Sequence, residues 1–520
     1  MQGVILAAGI GSRLRPISIE RHKSCVTVGR DPIIVHQLRA FRAAGIDDVH
    51  VATGYLSDQV ARVCRTFAAD ADDLSVTLHH SDVYANTNNM YSLYLLREAV
   101  DGEAFVLGNG DVAFEPAALR ALLAAPSESA VACDLSTYSA EGMKVTVDDR
   151  GRVDHLAKDV PEGEAYATSI DLYRFSSAFS TRLFDDIRRR IEVEGAHGSW
   201  TEVAIDSVAK AGEHELEPVD VSGADWVEVD DHDDLLRADR LFSPIKDLRS
   251  KEAVFFDLDG TIYLDDELVD GAADVVATLR EHDTDVYFLS NNSSRWTPDY
   301  ARKLSALGIP ATEASIVLST QGVISYLQRR GFEDAYVVGS SSMRDAFRAA
   351  GIDPTATDPD AVVAGFDTDL TYEKVRRATI DIRDGAEFLL AHADVVCPTV
   401  EGPVPDCGAI GALVEAATGR EPNRVFGKPQ PEMITPVLEE EGLVPEEIAI
   451  VGDRLDTDVR LAENIGCDSV CVLTGDADRL AVETHELTPT LVVDSVDGLE
   501  FPEVAPDEEA AASETVPESG

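Results

Sequence analysis

The sequence predicts an α/β protein built on two Rossmann-like cores, and three observations carry that prediction. Short apolar runs alternate with amphipathic segments along almost the whole chain, the pattern of strands joined by crossover helices. A glycine-rich turn, Leu6-Ala7-Ala8-Gly9-Ile10-Gly11-Ser12-Arg13, follows the first apolar run. A pair of aspartates, in Asp257-Leu258-Asp259-Gly260-Thr261, follows another apolar run just past the middle of the chain. Both turns sit where an open α/β sheet presents its strand ends to a ligand, and each fits a different phosphoryl reaction.

The elements follow in order. Strands are expected at residues 4–6, 49–52, 105–107 and 131–133, with amphipathic helices over 32–44 and 116–124 between them. The run Phe242-Ser243-Pro244-Ile245-Lys246-Asp247 interrupts the alternation, so a first domain is placed at 1–243, a linker at 244–252 and a second domain at 253–500. New strands are expected at 254–256, 286–289 and 448–451. Between the last two lie further strand-like runs at 335–338, 361–365 and 388–391, too much pattern for a loop. A large α/β insertion at approximately 322–424 accounts for them. Residues 501–520 are rich in Glu, Ala, Ser and Pro and are expected to form an acidic disordered tail.

A length of 520 residues exceeds a single core and suits two domains, one carrying an insertion. Acidic residues number 96 against 44 basic ones, a formal charge of −52, which argues against nucleic acid as a partner. Such acidity, with lysine scarce beside arginine, is expected of a cytoplasmic protein from a high-salt organism. The first residues enter a strand directly and do not form a secretory signal, and no apolar run has the length of a membrane span. The seven cysteines are scattered; Cys467 and Cys471 come nearest to a metal spacing but have no second pair or histidine cluster with them, so they read as core residues in a reducing compartment.

Backbone N–H groups of the glycine-rich turn can surround phosphate oxygens, and Arg13 and Lys23 can offset charge on a transferring group. In isolation both cations read equally as solvated surface residues. Asp111 closes the run Phe105-Val106-Leu107-Gly108-Asn109-Gly110-Asp111, and Asp230 closes Trp226-Val227-Glu228-Val229-Asp230. Carboxylates at strand ends point into the ligand crevice, where magnesium takes one or two of them together with phosphate oxygens. Turn aspartates are also common in so acidic a chain.

These residues resemble the nucleoside-diphosphate-sugar pyrophosphorylase type of nucleotidyltransferase over about the first 243 positions, and more narrowly its phosphocholine and inositol-phosphate cytidylyltransferase branch. The broad resemblance lies in the turn, Lys23, Gly110-Asp111 and the Trp-x-Glu-x-Asp run. The narrow one lies in Asn86-Thr87-Asn88-Asn89-Met90-Tyr91-Ser92-Leu93, in Met143-Lys144-Val145 and in the lysine of Leu156-Ala157-Lys158-Asp159. The resemblance implies that Ala8, Gly9, Gly11, Ser12 and Arg13 hold the nucleotide, that Lys23 contacts phosphate, and that Asp111 and Asp230 bind Mg2+. A phosphomonoester oxygen would then attack the α-phosphorus of a nucleoside triphosphate and release pyrophosphate. Lys158 joins the substrate set. Asn88 reads equally as a helix cap, and Glu202 as an acceptor contact or a surface-helix residue. His22 stands where the family has proline before the lysine.

In the second half, Asp257 and Asp259 project from one side of an extended segment, where a carboxylate can attack phosphorus if a cation screens the repulsion. Ser290-Asn291-Asn292 ends a second strand, Lys428 lies in Gly427-Lys428-Pro429, and Gly452-Asp453-Arg454-Leu455-Asp456-Thr457-Asp458 ends a third. Residues from about 253 to 499 resemble a haloacid-dehalogenase-like phosphatase of the subfamily holding p-nitrophenyl phosphatase and phosphoglycolate phosphatase relatives. That resemblance implies Asp257 as nucleophile, Asp259 as general acid and base, and Ser290, Asn291 and Lys428 as phosphate binders. It places Mg2+ among Asp257, Asp259, Asp453 and Asp458. The insertion corresponds to the family's cap, with His392 where asparagine is common.

The expected protein is a bifunctional Mg2+-dependent enzyme, transferring a nucleotidyl group, with CTP favoured, to a small phosphorylated alcohol, polyol or sugar and also hydrolysing a phosphomonoester. Three rival readings stay open: an active phosphatase with a nucleotide-binding regulatory module, a sugar-1-phosphate nucleotidyltransferase fused to a phosphatase, and a non-enzymatic scaffold, against which the two acidic constellations weigh.

Overall fold

A computed structural model describes residues 1–71, 73–397, 402–499 and 501; all of the expected tail beyond Phe501 lies outside the described residues. The contacts divide the chain into two units. One is Met1–Pro244 together with Asp478–Val492, and the other is Ile245–Ala477 with the chain from Val493.

The first unit is organised by a mixed nine-stranded sheet. Its main path runs Val153–Ala157, Lys144–Val147, Ala167–Phe175, Phe105–Asn109, Gln2–Ala7, Asp48–Thr53, Ser75–His80. The strands from Phe105–Asn109 through Gln2–Ala7 and Asp48–Thr53 to Ser75–His80 are parallel, and Ala167–Phe175 is antiparallel to its neighbours. Both faces are covered, so the period of two in a strand sorts side chains between two cores. Val4 and Leu6 join Phe105, Leu107, Tyr173 and Phe184 on one side, while Ile5 and Ala7 join Leu38, Phe41, Val106 and Leu172 on the other. Helices Ile33–Ala43 and Pro116–Ala124 occupy the places that the apolar periodicity predicts.

Asp478–Val492 completes this unit. Helix Arg479–Thr484 is capped by Asp478, which accepts from the Ala481 backbone N–H at 2.7 Å. The Arg479 guanidinium pairs with Asp239 at 2.5 Å and with Glu483 at 3.0 Å, and all three side chains are buried. Glu483 accepts from the Thr27 N–H at 3.1 Å, Arg479 donates to the Thr27 carbonyl at 3.1 Å, and Ser243 donates to the Thr490 carbonyl at 3.0 Å. The segment thereby holds both the stretch just after Lys23 and the helix His232–Phe242 that carries Asp239.

In the second unit, parallel strands run in the order Ile316–Leu318, Asp285–Ser290, Ala253–Asp257, Ile448–Gly452, Asp468–Val472. The insertion forms its own parallel four-stranded sheet, Ala335–Val338, Ala361–Ala364, Glu387–Leu390, Arg424–Val425, over a separate core that includes Val337, Phe347, Val363 and Phe388.

Candidate active sites

In the first unit the pairing of two short strands builds the acidic site. Strand Trp226–Glu228 runs antiparallel to Val112–Phe114 with Glu228 opposite Val112, and the Val229 N–H donates to the Asp111 carbonyl at 2.9 Å. This register brings Asp111 and Asp230 side by side. The strand Phe105–Asn109 stops two residues before Asp111. Gly110 makes the turn possible, since a Cβ there would stand 2.7 Å from the Leu6 carbonyl oxygen and 2.8 Å from Ser24 Oγ.

The Lys23 ammonium lies between the two carboxylates, 2.9 Å from Asp111 Oδ2 and 2.6 Å from Asp230 Oδ1. Burial alone would lower the Lys23 pKa, but Asp111 and Asp230 outweigh it and raise it, so the ammonium stays charged. Asp230 is held below the ordinary range against the opposing effect of burial, chiefly by Lys23 and then Arg13. Arg13 spans Asp230 at 2.5 Å and Glu141 at 2.6 Å. Gly11 adopts φ +64°, and a Cβ there would stand 3.0 Å from Lys23 Cβ, so the turn needs glycine for conformation and for space. His22 is buried, its pKa lowered to about 4 by burial, and its neutral ring accepts from the Ser24 N–H at 3.1 Å. The residue that replaces proline thus caps the turn carrying Lys23.

The candidate nucleotide, substrate and metal residues of the first half border one cleft of about 430 Å³: Ala8, Gly9, Gly11, Ser12, Arg13, Lys23, Asn88, Asp111, Lys158, Glu202 and Asp230. Asn88 caps the helix Asn89–Leu95 and also lines the cleft. Glu202 is only 2 % exposed, which removes the surface-helix reading. Lys158 stands 5.1 Å above the Trp200 ring. Two further carboxylates face the cleft. Burial, then neighbouring acids, pushes Asp171 up to about 8 and Glu228 up to about 9. Asn109 donates to Asp171 at 2.9 Å and to Glu202 at 3.3 Å, linking two buried acids. Glu228 was legible as a same-face neighbour of Asp230, two residues away along a strand. The signal for Asp171 is an acid inside the apolar run Ile170-Asp171-Leu172-Tyr173.

The second unit builds its site from strand ends in register. Phe256 pairs with Val451 and Asp257 with Leu289, so Asp257, Ser290 and Asp453 emerge together. Lys428 Nζ pairs with Asp257 and, at 2.7 Å, with Asp458. Asn291 clamps the lysine's backbone: its Oδ1 accepts from the Lys428 N–H at 2.7 Å and its Nδ2 donates to the Lys428 carbonyl at 3.2 Å. Burial pushes Asp257 up to about 7, only partly offset by Lys428, and Asp458 up to about 6. Burial likewise raises Asp259. Asp257, Asp259, Ser290, Asn291 and Lys428 line a cavity of about 60 Å³, joined there by Arg454, Asp394 and Asp406. Asp453 and Asp458 are buried and do not line that cavity.

Both acidic groups fit a hard divalent cation. Asp111, Glu228 and Asp230 bring carboxylate oxygens within 4.8 Å of one another, and so do Asp257, Asp453 and Asp458. All donors are oxygens, which suits Mg2+ rather than a softer metal. Among the described residues the buried Asp453 Oδ1 makes no hydrogen bond, which leaves a lone pair for a cation. Among the described residues no helix is long and apolar enough to cross a membrane.

Comparison with known proteins finds a family likeness in each half of the chain. Residues 254–353 match the haloacid dehalogenase-like hydrolase family, 425–499 a HAD-hydrolase-like family, and 3–197 the MobA-like NTP transferase domain. An acid sugar phosphatase of Staphylococcus saprophyticus is 33 % identical over 246 residues, spanning 47 % of this chain and 94 % of the relative. One from Staphylococcus epidermidis is 32 % identical over 245 residues, with 47 % and 94 % covered. Among solved structures, a 4-nitrophenylphosphatase from Thermotoga maritima is 39 % identical, covers 48 % of this chain and 97 % of its own, and has a TM-score of 0.47. The chain belongs to the haloacid dehalogenase-like hydrolases through its second half, to which a nucleotidyltransferase domain of the MobA-like type is joined at the amino-terminal side.

Proposed function

We propose that the first unit transfers a nucleotidyl group, with CTP the favoured donor, to a small phosphorylated alcohol, polyol or sugar, and that the second hydrolyses a phosphomonoester through an aspartyl-phosphate intermediate. The observation that carries the proposal is the same in both units: a buried lysine lies between two aspartates carried at strand ends or in the segments that follow them.

In the first reaction an oxygen of the acceptor phosphate attacks the α-phosphorus, the bond from that phosphorus to the bridging oxygen breaks, and pyrophosphate leaves. The turn from Ala8 to Arg13 presents N–H groups to the triphosphate, and Lys23 and Arg13 draw charge from the transferring group. Positioning supplies most of the catalysis, because phosphoryl transfer asks little covalent chemistry of the protein. In the second reaction an Asp257 oxygen attacks phosphorus and Asp259 gives its proton to the departing alkoxide. Asp259 then takes a proton from water, which attacks the aspartyl phosphate and frees inorganic phosphate. Burial raises the Asp259 pKa, the direction that favours holding that proton. Ser290 and Lys428 hold the phosphoryl oxygens. Asp111, Glu228 and Asp230 in one site and Asp257, Asp453 and Asp458 in the other would hold Mg2+, which would supply neutralisation of phosphate charge.

The test is pyrophosphate release from CTP, UTP, ATP and GTP paired with glycerol, inositol and choline phosphates, with glucose 1-phosphate as the rival acceptor. Turnover with CTP and a phosphoalcohol is expected. Glucose 1-phosphate as the sole acceptor would favour the sugar-nucleotide reading, and no turnover with any pair would leave the first unit a binding module. Because a phosphatase that destroyed its partner's acceptor would be futile, the two units are expected to use different phosphomonoesters.

A further inference from the structure

The phosphatase cavity carries two carboxylates that its phosphoryl chemistry does not use. Asp394 and Asp406 line it beside Asp257 and Asp259, and behind them lies His392, fully buried. The His392 ring stands between the two acids, Nδ1 3.3 Å from Asp394 Oδ2 and Nε2 3.5 Å from Asp406 Oδ1. Neither ring nitrogen makes a hydrogen bond of good geometry among the described residues, so these charge contacts are the imidazole's polar surroundings. The two carboxylates are fixed from other directions as well. Asn291 Nδ2 donates to Asp394 Oδ2 at 3.1 Å, and Asp406 caps the helix Cys407–Thr418 by accepting from the Cys407 N–H at 2.5 Å. The Asp406 N–H donates to the Val395 carbonyl at 2.9 Å and the Gly408 N–H to the Asp394 carbonyl at 2.7 Å, which locks the two segments together.

Resting on the phosphatase reading above, we infer that Asp394 and Asp406 are specificity residues that accept hydrogen bonds from hydroxyl groups of the leaving alcohol, with His392 as the residue that positions them. Ionised carboxylates only accept, and they repel a phosphate dianion, so the part of a substrate they face is the part beyond the ester oxygen. That part must offer donors. Arg454 borders the same cavity and offsets part of the charge on both acids, and the lone pairs left on the two carboxylates are acceptors that hydroxyl donors of the leaving alcohol can fill. The substrate class is a polyol or sugar phosphate small enough for the cavity.

The test compares kcat/KM for glycerol 1-phosphate, 4-nitrophenyl phosphate and phosphoethanolamine in the full chain and in Asp394→Asn, Asp406→Asn and His392→Asn. Asparagine keeps the shape of an aspartate and can still cap a helix, so the two aspartate variants are built to fold. The expected result is a ratio of glycerol 1-phosphate to 4-nitrophenyl phosphate efficiency that falls about tenfold in the aspartate variants, the size of a lost charged hydrogen bond. In His392→Asn the ratio is expected to fall through KM rather than kcat. An unchanged ratio, whether activity holds or drops in proportion on both esters, overturns the inference and leaves the phosphatase reading standing. Preference of the unaltered protein for phosphoethanolamine over glycerol 1-phosphate overturns it in favour of a cationic leaving group. Failure to hydrolyse all three esters overturns the phosphatase reading itself, and this inference with it.

Discussion

Asp257 and Asp111 separate the two chemistries at the level of single atoms. Asp257→Asn removes the proposed nucleophile while keeping its shape, and phosphate release is expected to fall about a thousandfold or more with pyrophosphate release within about twofold of the parent. Asp111→Asn is expected to do the reverse; paired assays on each variant check both. Protonation gives a second handle. Asp257 and Asp458 titrate at about 7 and about 6, above the ordinary carboxylate value of 3.8, so below those values the fold retains protons that a cation must expel. Mg2+ binding to the second site is therefore expected to release protons near pH 6, and its affinity to climb with pH and level off above about 7. Calorimetry in buffers of different ionisation enthalpy measures this directly. Stability without cation runs the opposite way: the folded state binds more protons than the unfolded chain, so this contribution is lost as pH rises from about 4 to about 7. Gly260 is the backbone counterpart. It has φ +92°, and a Cβ there would collide with Asp453 Oδ2, so Gly260→Ala is expected to cost most of the phosphatase activity.

Single elements show what the sequence makes legible. Strand ends were readable because each apolar run stops at a polar residue with a job: Asp257 ends Ala253–Asp257 and Ser290 ends Asp285–Ser290. Helix ends that meet across the cleft were not. Asn89, in the first turn of Asn89–Leu95, accepts from the Thr201 N–H at 2.8 Å and donates to Glu202, fastening that helix to the start of Thr201–Ala211. Sequence spacing gives no sign of a bond across 112 positions. The same holds for Asp406, whose capping role and cavity position coincide only in three dimensions. Asn89→Ala strands the Thr201 N–H and removes one of the two side-chain donors to the buried Glu202 carboxylate. It is expected to lower stability by about 1–3 kcal/mol and to raise KM for the acceptor, measured by denaturant titration and steady-state kinetics.

Over the whole molecule charge dominates. A surplus of 52 negative charges repels itself, and added salt screens that repulsion beyond about 10 Å at 0.1 M. Thermal stability is expected to rise with KCl between low and molar salt, as calorimetry would record. Asp478–Val492 has the other molecule-wide effect. Cutting the chain after residue 244 removes Arg479 and leaves Asp239 buried without the guanidinium that balances it. Breaking a buried pair costs about 3–5 kcal/mol, so residues 1–244 alone are expected to be much less stable than the first unit within the full chain. Growth on the ribosome meets the same dependence. The polypeptide emerges amino end first, yet the first unit lacks its closing piece until the second has been almost wholly made. A nascent chain therefore holds an unfinished nucleotidyltransferase throughout the synthesis of its phosphatase, and the two enzymes come of age together.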